Sequence, residues 1–286
     1  MDSILSGSGI EFSAIVFGLL SALSWGSGDF CGGLAAKRAR PFAVVFVAEL
    51  MGAVLLVLLA LSLGEDWPQG QSLLWAGAAG VAGSVGLLAL YTGLSTGHMG
   101  VVAPLSAVTA AVVPILASLV MDGLPGRPQF LGFVVALAAV WLLSGGTGRI
   151  ASPNELLLAS VAGLGFGFYF VLVDQATSGG IYWNLAFARL MGGVVIGLAI
   201  VILRQPFLPP RGVLPVNLLG GALDAGGNLF FGLAAMFGRL DVAAVLSSLY
   251  PGMTVMLAWM VLGERLNRPQ TVGVVAALLA VTLIML

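Results

Sequence analysis

Apolar runs separated by short polar breaks recur along the chain from position 12 to its last residue. Each run is about the 20 residues that a helix needs to cross ~30 Å of hydrocarbon at ~1.5 Å rise per residue. The pattern predicts ten helices, over 12–33, 41–63, 72–95, 101–121, 129–144, 155–176, 182–203, 213–236, 242–262 and 269–286. None of the runs shows the strict alternation of a barrel strand. The expected fold is therefore all-α and integral to a membrane, with no polar segment long enough to form a second domain. Residues 1–11 contain no Lys or Arg, and no soluble stretch follows the first run, so the first helix is expected to belong to the membrane domain and not to a signal peptide.

Composition sharpens this picture. Of 286 residues, 59% are hydrophobic and 8% charged, against the roughly 25% charged of soluble domains. A single cysteine, Cys31, excludes an intrachain disulfide. The single histidine, His98, beside Gly97, reads as a loop residue and leaves no basis for a His-based metal site. No cofactor is expected, no Walker loop suggests ATP drive, and a net charge of -1 offers nothing to nucleic acid. With ten spans both termini share one side, whose loops hold only Arg127 and Arg239. The opposite loops hold Lys37, Arg38, Arg40, Arg149, Arg204, Arg211, Arg265 and Arg268. Cytoplasmic loops collect basic residues, so the termini are expected on the non-cytoplasmic side of a cell (inner) membrane.

The chain also repeats itself. Arg127-Pro128-Gln129-Phe130-Leu131-Gly132 returns as Arg268-Pro269-Gln270-Thr271-Val272-Gly273. At the same offset, Val101, Ala103, Leu105 and Ser106 meet Val242, Ala244, Leu246 and Ser247. Earlier spans repeat more loosely: Ala48-Glu49-Leu50-Met51-Gly52 corresponds to Ala188-Arg189-Leu190-Met191-Gly192, while Gly18, Leu19, Trp25 and Asp29 correspond to Gly163, Leu164, Phe170 and Asp174. The expected units are 1–148 and 149–286, five helices each. An odd number of spans makes the second unit enter the membrane from the opposite side, and such inverted repeats mark secondary transporters.

Two stretches carry a family resemblance. Leu262-Gly263-Glu264-Arg265-Leu266 at the end of the ninth span and Trp25-Gly26 in the first resemble elements of the drug/metabolite transporter superfamily, and within it the EamA family. The first unit departs from that pattern, with Met121-Asp122-Gly123-Leu124-Pro125 in place of Gly-Glu-Arg-Leu. The resemblance implies a secondary transporter moving a small organic metabolite, such as an amino acid or amine, by alternating access and as an exporter. It also implies that helices one, three, four, six, eight and nine surround the cavity while the fifth and tenth pack outside.

A different signature competes with this one. Gly26-Ser27-Gly28-Asp29 fits G-x-G-D, a mark of intramembrane aspartyl proteases. Those enzymes need two carboxylates sharing a proton across one water. Asp29 and Asp174 each stand about six residues past mid-helix in helices of opposite direction, which separates them by roughly 20 Å along the membrane normal. The protease is the alternative reading, and no enzymatic activity is expected.

An ionisable group inside a span usually faces a cavity or a partner. Trp25 and Asp29 share one helical face, as do Phe170 and Asp174. An aromatic ring beside a carboxylate suits a cation or amine; interfacial hydration is the competing account of both aspartates. Asp224 and Asn228 stand four apart near mid-membrane, and Tyr91, Thr109, Tyr169 and Tyr250 could add hydroxyls to one cavity or serve as belt residues. Glu49 and Arg189 occupy equivalent places in the second and seventh spans. They pair across the repeat, or Arg189 holds a substrate carboxylate while Glu49 titrates. Pro104, Pro114 and Pro251 are expected to interrupt the fourth and ninth spans, freeing backbone carbonyls for a cavity or a hinge, or to be tolerated there as kinks. Expected partners are a small-molecule substrate, coupling protons and the lipid bilayer, with the chain acting as monomer or homodimer.

Overall fold

The computed structural model describes residues 2–96, 99–121, 123–143, 152–177, 179–262 and 268–284. They form eleven helices and, among the described residues, no strand: α1 (Asp2–Ala36), α2 (Pro41–Leu63), α3 (Ser72–Thr96), α4 (Met99–Met121), α5 (Arg127–Leu143), α6 (Pro153–Thr177), α7 (Tyr182–Leu203), α8 (Leu214–Phe237), α9 (Leu240–Ser247), α10 (Tyr250–Leu262) and α11 (Arg268–Ile284). His98, Asp122, Arg149 and the Gly263-Glu264-Arg265-Leu266 element lie outside the described residues. Seven segments are long and apolar enough to cross a bilayer, and Leu105–Met121, Arg127–Leu142 and Arg268–Ile284 are shorter apolar helices. The chain is a multi-pass membrane protein.

Two expectations about prolines separate here. The expected ninth span is broken into α9 and α10 around Ser248 and Leu249. Pro251 has no N–H for the Ser247 carbonyl, and the chain turns instead through Leu249 N–H to Leu246 O at 3.2 Å. In contrast, α4 runs unbroken through Pro104 and Pro114.

Helix packing reproduces the repeat. If α1 to α5 correspond to α6, α7, α8, the α9–α10 pair and α11, the contacts fall into exchanged sets: α1 with α8 and α6 with α3, α4 with α6 and α9–α10 with α1. The helices that are their own mates run antiparallel. A Cβ on Gly192 of α7 would meet Glu49 of α2, and one on Gly197 would meet Phe46. Gly132, near the start of α5, faces Ala280 and Ile284 at the end of α11. Antiparallel mates require a two-fold axis perpendicular to the helices, the geometry of an inverted repeat.

Glycines set how close these helices lie, because a backbone without Cβ lets its neighbour's backbone approach. Gly28 faces the backbone of Gly220 and Asp224, and Gly165 faces Ala82 and Gly86. Serines then bridge α1 to α8: Ser24 Oγ donates to Leu223 O at 2.6 Å and Ser21 Oγ to Gly227 O at 2.9 Å.

Equivalent helices also end alike. Glu65 N–H reaches Ala60 O at 3.0 Å past the end of α2, and Gln205 N–H reaches Ile200 O at 2.9 Å past the end of α7. Both turns need a left-handed residue, supplied by Gly64 (φ 65) and by Arg204 (φ 51). Arg204→Gly is therefore expected to raise stability by roughly 1 kcal/mol by removing the Cβ strain. Thermal unfolding of the purified variant checks this.

The α2–α3 loop ties the two units together. Ile181, at the N-terminus of α7, has no side-chain cap of its own. Glu65 supplies it from the other unit: its carboxylate accepts from Ile181 N at 2.6 Å, Tyr182 N at 3.2 Å and Trp183 N at 2.8 Å. Trp183 Nε1 returns a bond to Glu65 O at 2.8 Å, and its ring lies 5.0 Å from that of Trp67. A carboxylate on free N–H groups also meets the positive end of the helix dipole. Glu65→Ala is expected to cost about 1–3 kcal/mol by orphaning those donors, read as a lowered melting temperature and faster hydrogen exchange at 181–183.

At the repeat-equivalent place the tie is missing. Gln205 turns back to Leu203 O at 3.4 Å. Pro41, which stands where Ile181 does, has no N–H to offer. An open cleft of about 580 Å³ lies there instead, between Lys37, Arg38 and Arg40 on one side and Pro206, Leu208, Pro209 and Pro210 on the other.

Candidate functional site

The polar side chains meet where the two units face each other. Arg189 of α7 is 5% exposed and reaches two carboxylates: Nη1 donates to Glu49 Oε2 of α2 at 3.1 Å, and Nη2 lies 2.5 Å from Asp224 Oδ2 of α8. The second contact is a charge contact without good hydrogen-bond direction. Buried ions survive only when paired, since an isolated one pays the full desolvation penalty. The small residues Gly52 and Gly192 leave room for the two long side chains to lie between the helices.

This triad forms part of a cavity wall. The cavity is also lined by Trp25 and Asp29 of α1, Ser84 and neighbouring small residues of α3, Phe166, Tyr169 and Phe170 of α6, Asn228 of α8 and Tyr250 of α10. Its volume is about 50 Å³, space for a few waters. An amino acid or amine would need the surrounding helices to part.

Each polar group on the wall is positioned from behind. Trp25 Nε1 donates to Asn228 Oδ1 at 2.9 Å, and its ring stacks on Phe170 at 5.4 Å and Phe231 at 5.8 Å. The Tyr250 hydroxyl lies 3.2 Å from Ser106 Oγ. The Tyr169 hydroxyl is buried without a partner among the described residues, and Asp29 has neither a hydrogen bond nor an ion pair there.

The structure thus brings Trp25, Asp29, Glu49, Tyr169, Phe170, Arg189, Asp224, Asn228 and Tyr250 to one cavity. It leaves three expected residues out. Tyr91 is buried against Gly32 of α1, and Thr109 Oγ1 turns to Leu105 O at 2.7 Å and packs on Gly163. Asp174 stands in the last turn of α6, half-buried, where Gln175 Nε2 donates to it at 3.1 Å. The dyad that a protease would need is not assembled, because Asp29 lines the cavity and Asp174 does not.

The helix set around the cavity also differs from the one the resemblance implied. Helices α2 and α7 contribute through Glu49 and Arg189, and α4 contributes nothing to the wall among the described residues. The fifth and last helices pack on each other away from it. Gly80, Gly83 and Leu87 carry no polar group, and the three-residue glycine spacing in this helix speaks only of close helix packing; the triad's second carboxylate, Asp224, had a signal in its mid-span charge.

Eleven helices among the described residues, in two antiparallel repeats around a buried polar cavity, define a polytopic membrane protein of the small-molecule transporter class. A profile of the EamA-like transporter family matches residues 12–145 and again 154–286, and the chain belongs to that family. Its members are transporters and not enzymes. The uncharacterized protein MJ1333.1 of Methanocaldococcus jannaschii is 29% identical over 133 residues, 46% of this chain and 96% of that protein. That relative is about as long as one of the two units. A protein of known crystal structure superposes with a TM-score of 0.71 at 17% identity, over 97% of this chain and 96% of the other, a likeness of fold.

Proposed function

We propose that this chain is a secondary transporter with ten membrane-crossing segments, α9 and α10 together making the ninth. It exports a small organic metabolite, of the size of an amino acid or amine, by alternating access. One observation carries the reading: the units are tied at one end by Glu65 and parted at the equivalent place at the other, with a polar cavity between. Two antiparallel copies that exchange these arrangements would open the cavity to each side in turn.

The basic loops orient the chain with the Arg40 cleft toward the cytoplasm and the Glu65 tie, together with both termini, outside. The fused units, 1–148 and 149–286, build the site within one chain, so a monomer suffices and a homodimer is permitted. Protonation of a cavity carboxylate would couple export to a proton gradient. Counterflow in liposomes tests the reading: a preloaded amine or amino acid should drive uptake of its labelled form, saturably. Transport that neither saturates nor exchanges would identify a channel instead.

A further inference from the structure

Three carboxylates and one guanidinium face the cavity, and the guanidinium is already engaged. Glu49 and Asp224 both contact Arg189, so a substrate anion would have to displace one of them. The acid end of a zwitterion meets the same obstacle. Asp29 is different: it is 9% exposed, lines the cavity, and has no partner among the described residues. The hydroxyl of Tyr169, a residue 5% exposed, is unpartnered on the same wall. A carboxylate and a hydroxyl oxygen are acceptors for N–H donors, while the rings of Trp25, Phe166 and Phe170 offer apolar surface to a hydrocarbon chain.

We infer that the cavity selects a small organic monocation, a primary or secondary ammonium on a short apolar chain, with Asp29 as its counter-ion. This rests on the transporter reading and narrows it. The two carboxylates at Arg189 exceed its single positive charge, so the whole wall favours a cation over an anion. An ammonium carrying N–H groups is favoured over a quaternary centre, which can pair with Asp29 by charge but donates no hydrogen bond to Asp29 or Tyr169.

A four-carbon series that varies charge and little else tests this on the full-length protein in detergent at constant ionic strength. A ligand that binds only the folded state raises the melting temperature. Butylammonium is expected to raise it, with butanol, butyrate, 4-aminobutyrate and tetramethylammonium giving no comparable shift. In Asp29→Asn the half-saturating butylammonium concentration is expected to rise at least about tenfold. Butyrate or 4-aminobutyrate stabilising as well as butylammonium, no shift with butylammonium, or an unchanged response in Asp29→Asn would each overturn the inference. The charge series on the unaltered protein decides the matter even where the variant does not fold. Liposome counterflow separates the two readings. If neutral or anionic metabolites exchange and amines do not, the cation assignment falls and the transporter stands. If no solute of any charge exchanges, both fall.

Discussion

Arg189→Met is expected to destabilise the protein by about 3–5 kcal/mol and to abolish solute exchange. The loss comes from what is left behind: Glu49, 3% exposed, and Asp224, 6% exposed, would lose the guanidinium that compensates them and face either an uncompensated charge or forced protonation in a closed interface. The three side chains come from α2, α7 and α8, and so join both units. Adding Glu49→Gln and Asp224→Asn to Arg189→Met should recover most of the stability, because neutral groups of similar size need no counter-ion. The triple variant should still not transport. Thermal unfolding and liposome exchange on the same preparations separate the two effects. An Arg189→Met protein that melts with the parent would mean that the triad does not hold the units together.

Gly80→Ala should be comparably damaging for a steric reason. A Cβ there would run into the backbone carbonyl of Ala188, which cannot swing aside as a side chain would. Helices α3 and α7 would have to separate beside Arg189, at an expected cost of about 1–3 kcal/mol or more. Gly77 is the internal control, one turn earlier on the same helix. Its added methyl would meet only the Phe187 ring and Met191 side chain at ordinary distance, 3.4 and 3.7 Å. Gly77→Ala should be neutral or slightly stabilising, since alanine favours a helix more than glycine does. Equal melting temperatures for the two variants would show that the α3–α7 contact is looser than drawn.

The helices were legible because hydrocarbon imposes their length, and the repeat because a motif at a helix start, Arg-Pro-Gln, recurs with them. The ninth span was less so: Pro251 marked it, but the same residue type at 104 and 114 left α4 whole, since tertiary contacts decide whether a lost N–H breaks a helix. In the site, Asp29, Glu49, Arg189 and Asp224 stood out as charges inside apolar runs. Their partners did not. Asp224 belongs to Arg189 because α7 and α8 bring them together within the second unit, while Glu49 reaches the same guanidinium from the first, and no local pattern encodes either contact. Asp174 misled through its match to Asp29. The same register sits seven residues from the end of α1 but three from the end of α6, so one carboxylate stays inside and the other reaches the helix end. The cap by Glu65 carried no motif at all, since both its donors and its own loop are unremarkable in sequence.

That cap has a consequence for energy and not only for shape. A perfectly duplicated chain would have two conformers of equal free energy, each carried into the other by the two-fold axis, and would visit them equally without substrate. Glu65 against Gln205, and Ile181 against Pro41, lift that degeneracy. A net advantage of about 2.8 kcal/mol, within reach of three bonds to a carboxylate, is a hundredfold in population. The resting protein would then stay closed at the Glu65 end, and the turnover of its cycle would be set by how often that end lets go.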